Sequence, residues 1–301
     1  ASRNSVVRAR CDENVVAIGV VMSNPHASAL HVGLLDVTMA AFDNATVEST
    51  ASEIDVAAVS VVVMGDVAVD ASVRGVTFVA AASSIVKSHS IGQNAAAVGI
   101  AILTPDSARS PVNLEASNVT FAAVSHCDVS SASVNSGNVV SVGVTVFAKA
   151  SSATVAVVRG AMLALHDSAV SAASLTWRAG GRCVAAVGVA TLSRRRTLTV
   201  SNSVLAAAYN CHVRSSTTGL SSAAAVGAAT VSEFGGLTHV ESVDVFVAFN
   251  SSASSMVDGG RYPPLGVLRS ATPTRRGNST IHRRVAPTRP TSRPTSPGLT
   301  S

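Results

Sequence analysis

Aromatic side chains are scarce: phenylalanine, tyrosine and tryptophan make up 3% of the 301 residues, although 47% of the chain is hydrophobic. Large globular cores are ordinarily filled in part by such rings, so the apolar volume here has to come from valine and alanine. That composition disfavours a conventional globule and suits narrow stacked coils, whose interiors admit small and β-branched side chains in repeating layers. Long apolar runs are also missing. Val56–Met64 and Val139–Ala148 are about ten residues each and are bounded by Asp, Asn or Lys, against about 20 for a membrane-spanning helix. No charged leader followed by an apolar stretch opens the chain, which begins Ala1-Ser2-Arg3 without methionine and reads as a piece of a longer protein.

Charge is thin as well, at 13% of residues, and the net +5 is unevenly placed. Residues 1–257 carry 14 Lys+Arg against 16 Asp+Glu, a balance of −2, whereas residues 258–301 carry eight Arg against one acid, a balance of +7. The same tail holds seven of the ten prolines. An Arg/Pro/Ser/Thr-rich segment without apolar periodicity is expected to remain disordered.

What the chain does contain is a repeat. A first word recurs around Gly19, Ser60, Gly99, Gly143, Gly188 and Gly227, for example VVSVGVTVF and VAAVGVATL, at spacings of 41, 39, 44, 45 and 39. A second word follows, its third residue 16 to 21 residues later: DVTM (36–39), GVTF (75–78), NVTF (118–121), GAML (160–163), NSVL (202–205) and DVFV (244–247). Its first residue is Asp, Gly or Asn, types that tolerate left-handed backbone, so a bend is expected there. Val37/Met39, Val76/Phe78 and Val119/Phe121 should point inward after it, and Val32/Leu34, Leu114/Ala116 and Leu198/Val200 before it.

A third word centres on Val47, Val86, Val129, Val170 and Val213. Small residues sit two positions later (Ser49, Ser88, Ser131, Ala172, Ser215) and again four positions later, which describes a short strand at a tight corner. The sixth copy is degenerate at this word. Three strand-like words per unit predict an all-β fold, a right-handed parallel β-helix of about six repeats of roughly 42 residues. Its expected boundaries are an N-terminal flank (1–13), the repeat domain (14–257) and the tail (258–301). Two shorter coils per unit, or a six-bladed propeller, are the alternatives.

The succession AVGVAxL, LTVSNSVL, a polar turn and VxSxS resembles the repeats of large right-handed β-helix surface proteins, most of all the membrane-associated and dispersed-gene-family proteins of kinetoplastid protists. The resemblance spans residues 14 to about 250 and rests on pattern and on Ala/Val/Ser bias. It implies a cell-surface or extracellular protein, membrane-associated through a segment outside this chain, with no catalytic residues to carry over. The chain departs from that pattern in lacking a transmembrane segment and in its basic tail. Either it is a piece of a longer protein, or the tail is translated out of frame.

Candidate chemistry is sparse. Cys127 and Cys211 share a register position two residues before the third-word valine, with one coil between them. That places their Cα atoms about 10 Å apart, too far for a disulfide; Cys11 and Cys183 are not placed by the repeat, and no disulfide is expected. N-glycosylation sequons begin at Asn44, Asn118, Asn250 and Asn278. The turn before the third word gathers His126, Asp128, His166, Asp167 and His212, with Tyr209 and Asn210 beside them. Imidazoles and carboxylates on one edge are competent to bind a metal ion or an array of glycan hydroxyls. A solvated row continuing Asn44 and Ser83 is preferred, because alternation sends some of these side chains inward, so neither metal nor cofactor is expected.

Polysaccharide cleavage needs converging carboxylates, and at the second-word bend only Asp36 and Asp244 are acidic, five units or about 24 Å apart. Asp66 and Asp70 share one link without an acidic neighbour in the next coil. Arg194-Arg195-Arg196 reads as a solvated loop, and no G-x-S-x-G word occurs. The leading expectation is a non-enzymatic structural or adhesive surface module that recognises a glycan or protein, with further repeats pairing at its coil ends. A polysaccharide-binding or polysaccharide-cleaving β-helix is the alternative. Through its arginines the tail offers weak contact with polyanions, and no specific nucleic-acid binding is expected.

Overall fold

A computed structural model describes residues 1, 4–11, 15–23, 29–52, 56–64, 67–91, 95–104, 110–134, 139–174, 182–218, 221–232 and 236–258. The expected tail beyond Asp258, with Asn278, and Asp66 lie outside the described residues. The fold is a right-handed parallel β-helix. Among the described residues there is no helix, and every strand pairs in parallel with a strand of the neighbouring unit.

The register follows the repeat. Gly19 pairs with Ser60, Ser60 with Gly99, and the row continues through Gly143, Gly188 and Gly227. Each 39-to-45-residue unit is therefore one coil, which excludes both two coils per unit and a propeller, whose blades pair strands within a unit. The third words stack as seven strands: Val6–Cys11, Thr46–Ala51, Ile85–Ser90, Asp128–Ser133, Ala169–Ser174, His212–Thr218 and Ser252–Asp258. Two of these were not expected. Val6–Cys11, assigned to a flank, pairs with Thr46–Ala51, and the degenerate sixth copy still forms Ser252–Asp258, with Ala253 opposite Val213.

Burial explains the valine-rich, ring-poor composition. Val47, Val86, Val129 and Val170 are fully buried in one row, backed by Ser49, Ser88, Ser131 and Ala172. Each buried valine contributes about 1.5–3 kcal/mol. Phe78 and Phe121, their centroids 5.6 Å apart, are fully buried in the coil interior. Val32, Leu34, Leu114, Ala116, Leu198 and Val200 are buried before the bend, as alternation requires.

The first-word segment doubles back. Cys183 Sγ donates to Thr191 O at 2.9 Å, eight residues downstream, positions that would lie about 26 Å apart in an extended strand. The fold encloses a second, smaller core that includes Ala96, Ala101, Val140, Phe147, Ala190 and Leu192. Glycine is required at its apex in the coils of Gly99, Gly143 and Gly188, although Ser60 holds the same row position in another coil. Gly143 has φ +144°, and a Cβ there would overlap the carbonyl oxygen of Gly188 in the next coil.

The bends depart from expectation in two copies. Left-handed backbone falls at Asp36, Gly75, Asn118 and Asn202 as expected, but at Arg159 rather than Gly160 and at Ser242 rather than Asp244. The inward row decides this: Phe121 pairs with Met162, Met162 with Leu205, and Leu205 with Val245, which fixes the bend three residues earlier in each coil. The Arg194–Arg196 run is not a loop; it lies inside the continuous strand Arg182–Ala208. Arg196 is half-buried, its Nη2 donates to Thr238 Oγ1 at 2.9 Å, and burial lowers its pKa.

Candidate functional site: the double-turn edge

Between the second and third words, each coil turns a corner on two consecutive residues in the left-handed region. The pairs are Asp43-Asn44, Ala82-Ser83, Ser125-His126, His166-Asp167, Tyr209-Asn210 and Phe249-Asn250, with φ between 52° and 63°. Asn, Asp and Ser suit such positions because their short polar side chains bond locally. Two left-handed residues in succession interrupt the period-two alternation. The second residue of every pair is exposed; the residue after it is buried in the first five coils and partly buried at Ser251.

That buried residue secures the corner. Ser84 Oγ donates to Ala81 O at 2.7 Å and Ser168 Oγ to Leu165 O at 2.8 Å. Cys127 Sγ and Cys211 Sγ make the equivalent contact, each at 3.1 Å, with Val124 O and Ala208 O. The two cysteines thus stand in for serine in a structural row. Ser168 lies between them, its Oγ accepting the Cys127 N–H at 3.3 Å. Burial raises both thiol pKa values, which favours the inert protonated form. Cys183 is buried in the second core, and Cys11 is exposed.

Outside the corner, side chains stack into ladders. Asn250 Nδ2 donates to Asn210 Oδ1 at 2.8 Å, Asn210 Nδ2 donates to Asp167 Oδ1 at 3.0 Å, and His126 Nδ1 lies 3.8 Å from Asp167 Oδ2. Alongside runs an aromatic stack. His166 and Tyr209 have centroids 4.7 Å apart with planes at 11°, and Tyr209 and Phe249 are 4.5 Å apart with planes at 1°. Tyr209 is 45% and Phe249 59% exposed.

The five residues expected to share one row are therefore divided among three. His126 and Asp167 lie in the polar ladder, and His166 lies in the aromatic stack. Asp128 and His212 lie on the third-word strands with Ala169 between them. Asp128 faces Lys87 Nζ at 3.9 Å, and His212 Nδ1 hydrogen-bonds Ser252 Oγ at 2.8 Å. Among the described residues no group of three or more His, Cys, Asp or Glu is placed to hold a metal ion. Asp244 pairs with Val204 beyond the bend, and Asp70 faces His31 at 3.5 Å. Asn44, Asn118 and Asn250 are exposed on left-handed backbone.

Sequence reasoning placed Tyr209 and Asn210 on this edge and missed Phe249. The signal was present: Tyr209-Asn210 recurs as Phe249-Asn250, 40 residues on. No family model, curated protein or solved structure matches the chain significantly.

Proposed function

We propose that the chain is a non-enzymatic structural and adhesive module, displayed outside the cell as part of a larger membrane-associated surface protein. What supports this reading is the contrast at the double-turn edge. Inward positions repeat one small set of residues from coil to coil, while the exposed turn positions change from Asn44 and Ser83 to His126, Asp167, Asn210 and Asn250. A constant scaffold carrying a varied, solvent-facing row is the arrangement by which solenoids present binding surfaces. The exposed sequons at Asn44, Asn118 and Asn250 agree with passage through a secretory compartment.

Surface labelling of intact source cells with a membrane-impermeant biotin reagent tests the reading. Labelled peptides from residues 4–258 are expected without permeabilisation, and labelling only after permeabilisation would overturn it. The aromatic stack beside the asparagine ladder favours glycan recognition, the polysaccharide-binding alternative, as the form this adhesion takes.

A further inference from the structure

We propose that the edge from His166 to Asn250 binds a linear, uncharged polysaccharide laid along the solenoid axis. This deepens the display reading by naming the class of partner.

The backbone makes these residues costly where they stand. Left-handed conformation is disfavoured for a residue whose side chain makes no local polar bond. Tyr209 and Phe249 adopt it at φ 63° and 54°. Neither repays that cost by burial, since both are about half exposed. Stacking on a single neighbour offsets only part of that cost for Phe249, whereas Asp43 and Ser125, at the same position of other turns, carry short polar side chains that can bond locally. Strain held by exposed aromatics on a rigid scaffold is a mark of recognition.

The chemistry beside them narrows the ligand. Each amide of Asn210 and Asn250 spends one N–H on the ladder and retains a second. With the Asp167 carboxylate, these form a line of donors and acceptors suited to sugar hydroxyls, adjacent to the exposed apolar edges of the ring stack. The rings recur every 4.5 to 4.7 Å, a spacing set by the coils and similar to one sugar unit of an extended chain. An open, periodic edge suits a polymer better than a small molecule, which binds in concave sites. The described turn positions carry Asp43 and Asp167 and no Lys or Arg, so a polyanion would be repelled.

Affinity electrophoresis of the full chain through gels containing β-1,3-glucan, β-1,4-glucan or α-mannan tests the proposal, with heparin as the polyanion. Retardation by at least one neutral polymer is expected, together with about tenfold weaker binding in Tyr209→Asn and Phe249→Asn. Asparagine relieves the left-handed strain, so these variants should melt no lower than the parent, which separates lost recognition from lost folding. Asn210→Ala should also weaken binding, and Ser171→Ala, on the adjoining face, should not. Retardation by none of the neutral polymers, preference for heparin, or undiminished binding in both ring variants would each overturn the proposal. A surface-labelled chain that binds no glycan leaves display standing and removes only the glycan; binding by a chain found solely inside the cell does the reverse.

Discussion

Three glycine-to-alanine substitutions should separate along the physics of coil stacking. At Gly33 the backbone is not left-handed and an added Cβ meets nothing within 4 Å, so Gly33→Ala acts through the unfolded chain. It should be neutral or stabilise by about 0.4–1 kcal/mol. Gly227 is also open to a Cβ but has φ +135°, so Gly227→Ala should cost about 1–3 kcal/mol in backbone strain alone. Gly143 combines φ +144° with overlap between the new Cβ and the Gly188 carbonyl. Relieving that overlap means forcing coils apart, which adds about 1–3 kcal/mol of overpacking and about 1 kcal/mol for each ladder hydrogen bond stretched open. Gly143→Ala should therefore cost about 3–6 kcal/mol. For a chain of this size each kcal/mol moves the melting temperature by about 2–4 °C. Thermal unfolding followed by far-UV circular dichroism should rank Gly33→Ala above Gly227→Ala above Gly143→Ala, the last two about 4–12 °C apart. Equal melting of Gly143→Ala and Gly227→Ala would refute the claim that carbonyl overlap, rather than backbone conformation alone, keeps position 143 glycine.

Other expectations follow from the same geometry. Val129→Ala removes a fully buried side chain from a central coil and should cost about 2–3 kcal/mol in a denaturant titration. Arg159→Asn places a residue tolerant of left-handed backbone at φ 54° and should stabilise by about 0.5–1 kcal/mol, read as a rise in denaturation midpoint. Cys127→Ser and Cys211→Ser, alone or together, should change stability by less than about 1 kcal/mol, because Ser84 and Ser168 make the same contact. Both thiols have pKa values raised above the ordinary 9.0, chiefly by burial. The folded state thus holds these protons more tightly than the unfolded state. Their favourable effect is complete below pH 9.0 and is lost as pH rises through the folded values. The double serine variant should lose less stability than the parent between pH 8 and pH 11, roughly the window in which thiols titrate, and an identical decline in both proteins would refute the assignment.

Much of the fold could be read because each coil's inward positions are filled under one constraint. A valine or phenylalanine in one coil must sit over a similar side chain in the next, so Val47, Val86 and Val129, or Phe78 and Phe121, announce their register in the sequence. Bends are less legible. Asp, Asn and Gly signal left-handed tolerance without being obligatory for it, and Arg159 and Ser242 take that backbone because the neighbouring inward rows hold them there. The site was half legible. Its residues could be gathered by spacing, but assuming strict alternation misassigned their faces, since a double left-handed turn sends His166 and Asp167 outward together. Phe249 was missed because its copy has Ala253 in place of the marker valine, which hid a turn the backbone still makes.

The ladder bonds that unite the coils run from one circuit to the next, as from Asn44 N–H to Ala82 O or from Asp128 N–H to Ser84 O. Tension applied end to end therefore loads them in line and nearly one row at a time, rather than in the shared shear that makes some sheets resist force. The rod should yield by shedding circuits in succession. Each released circuit pays out about 40 residues, or about 140 Å of extended chain, so a single molecule held in an optical trap should lengthen in steps of that size. A scaffold that is stiff at rest becomes, under pulling, a tether with a graded reserve of length.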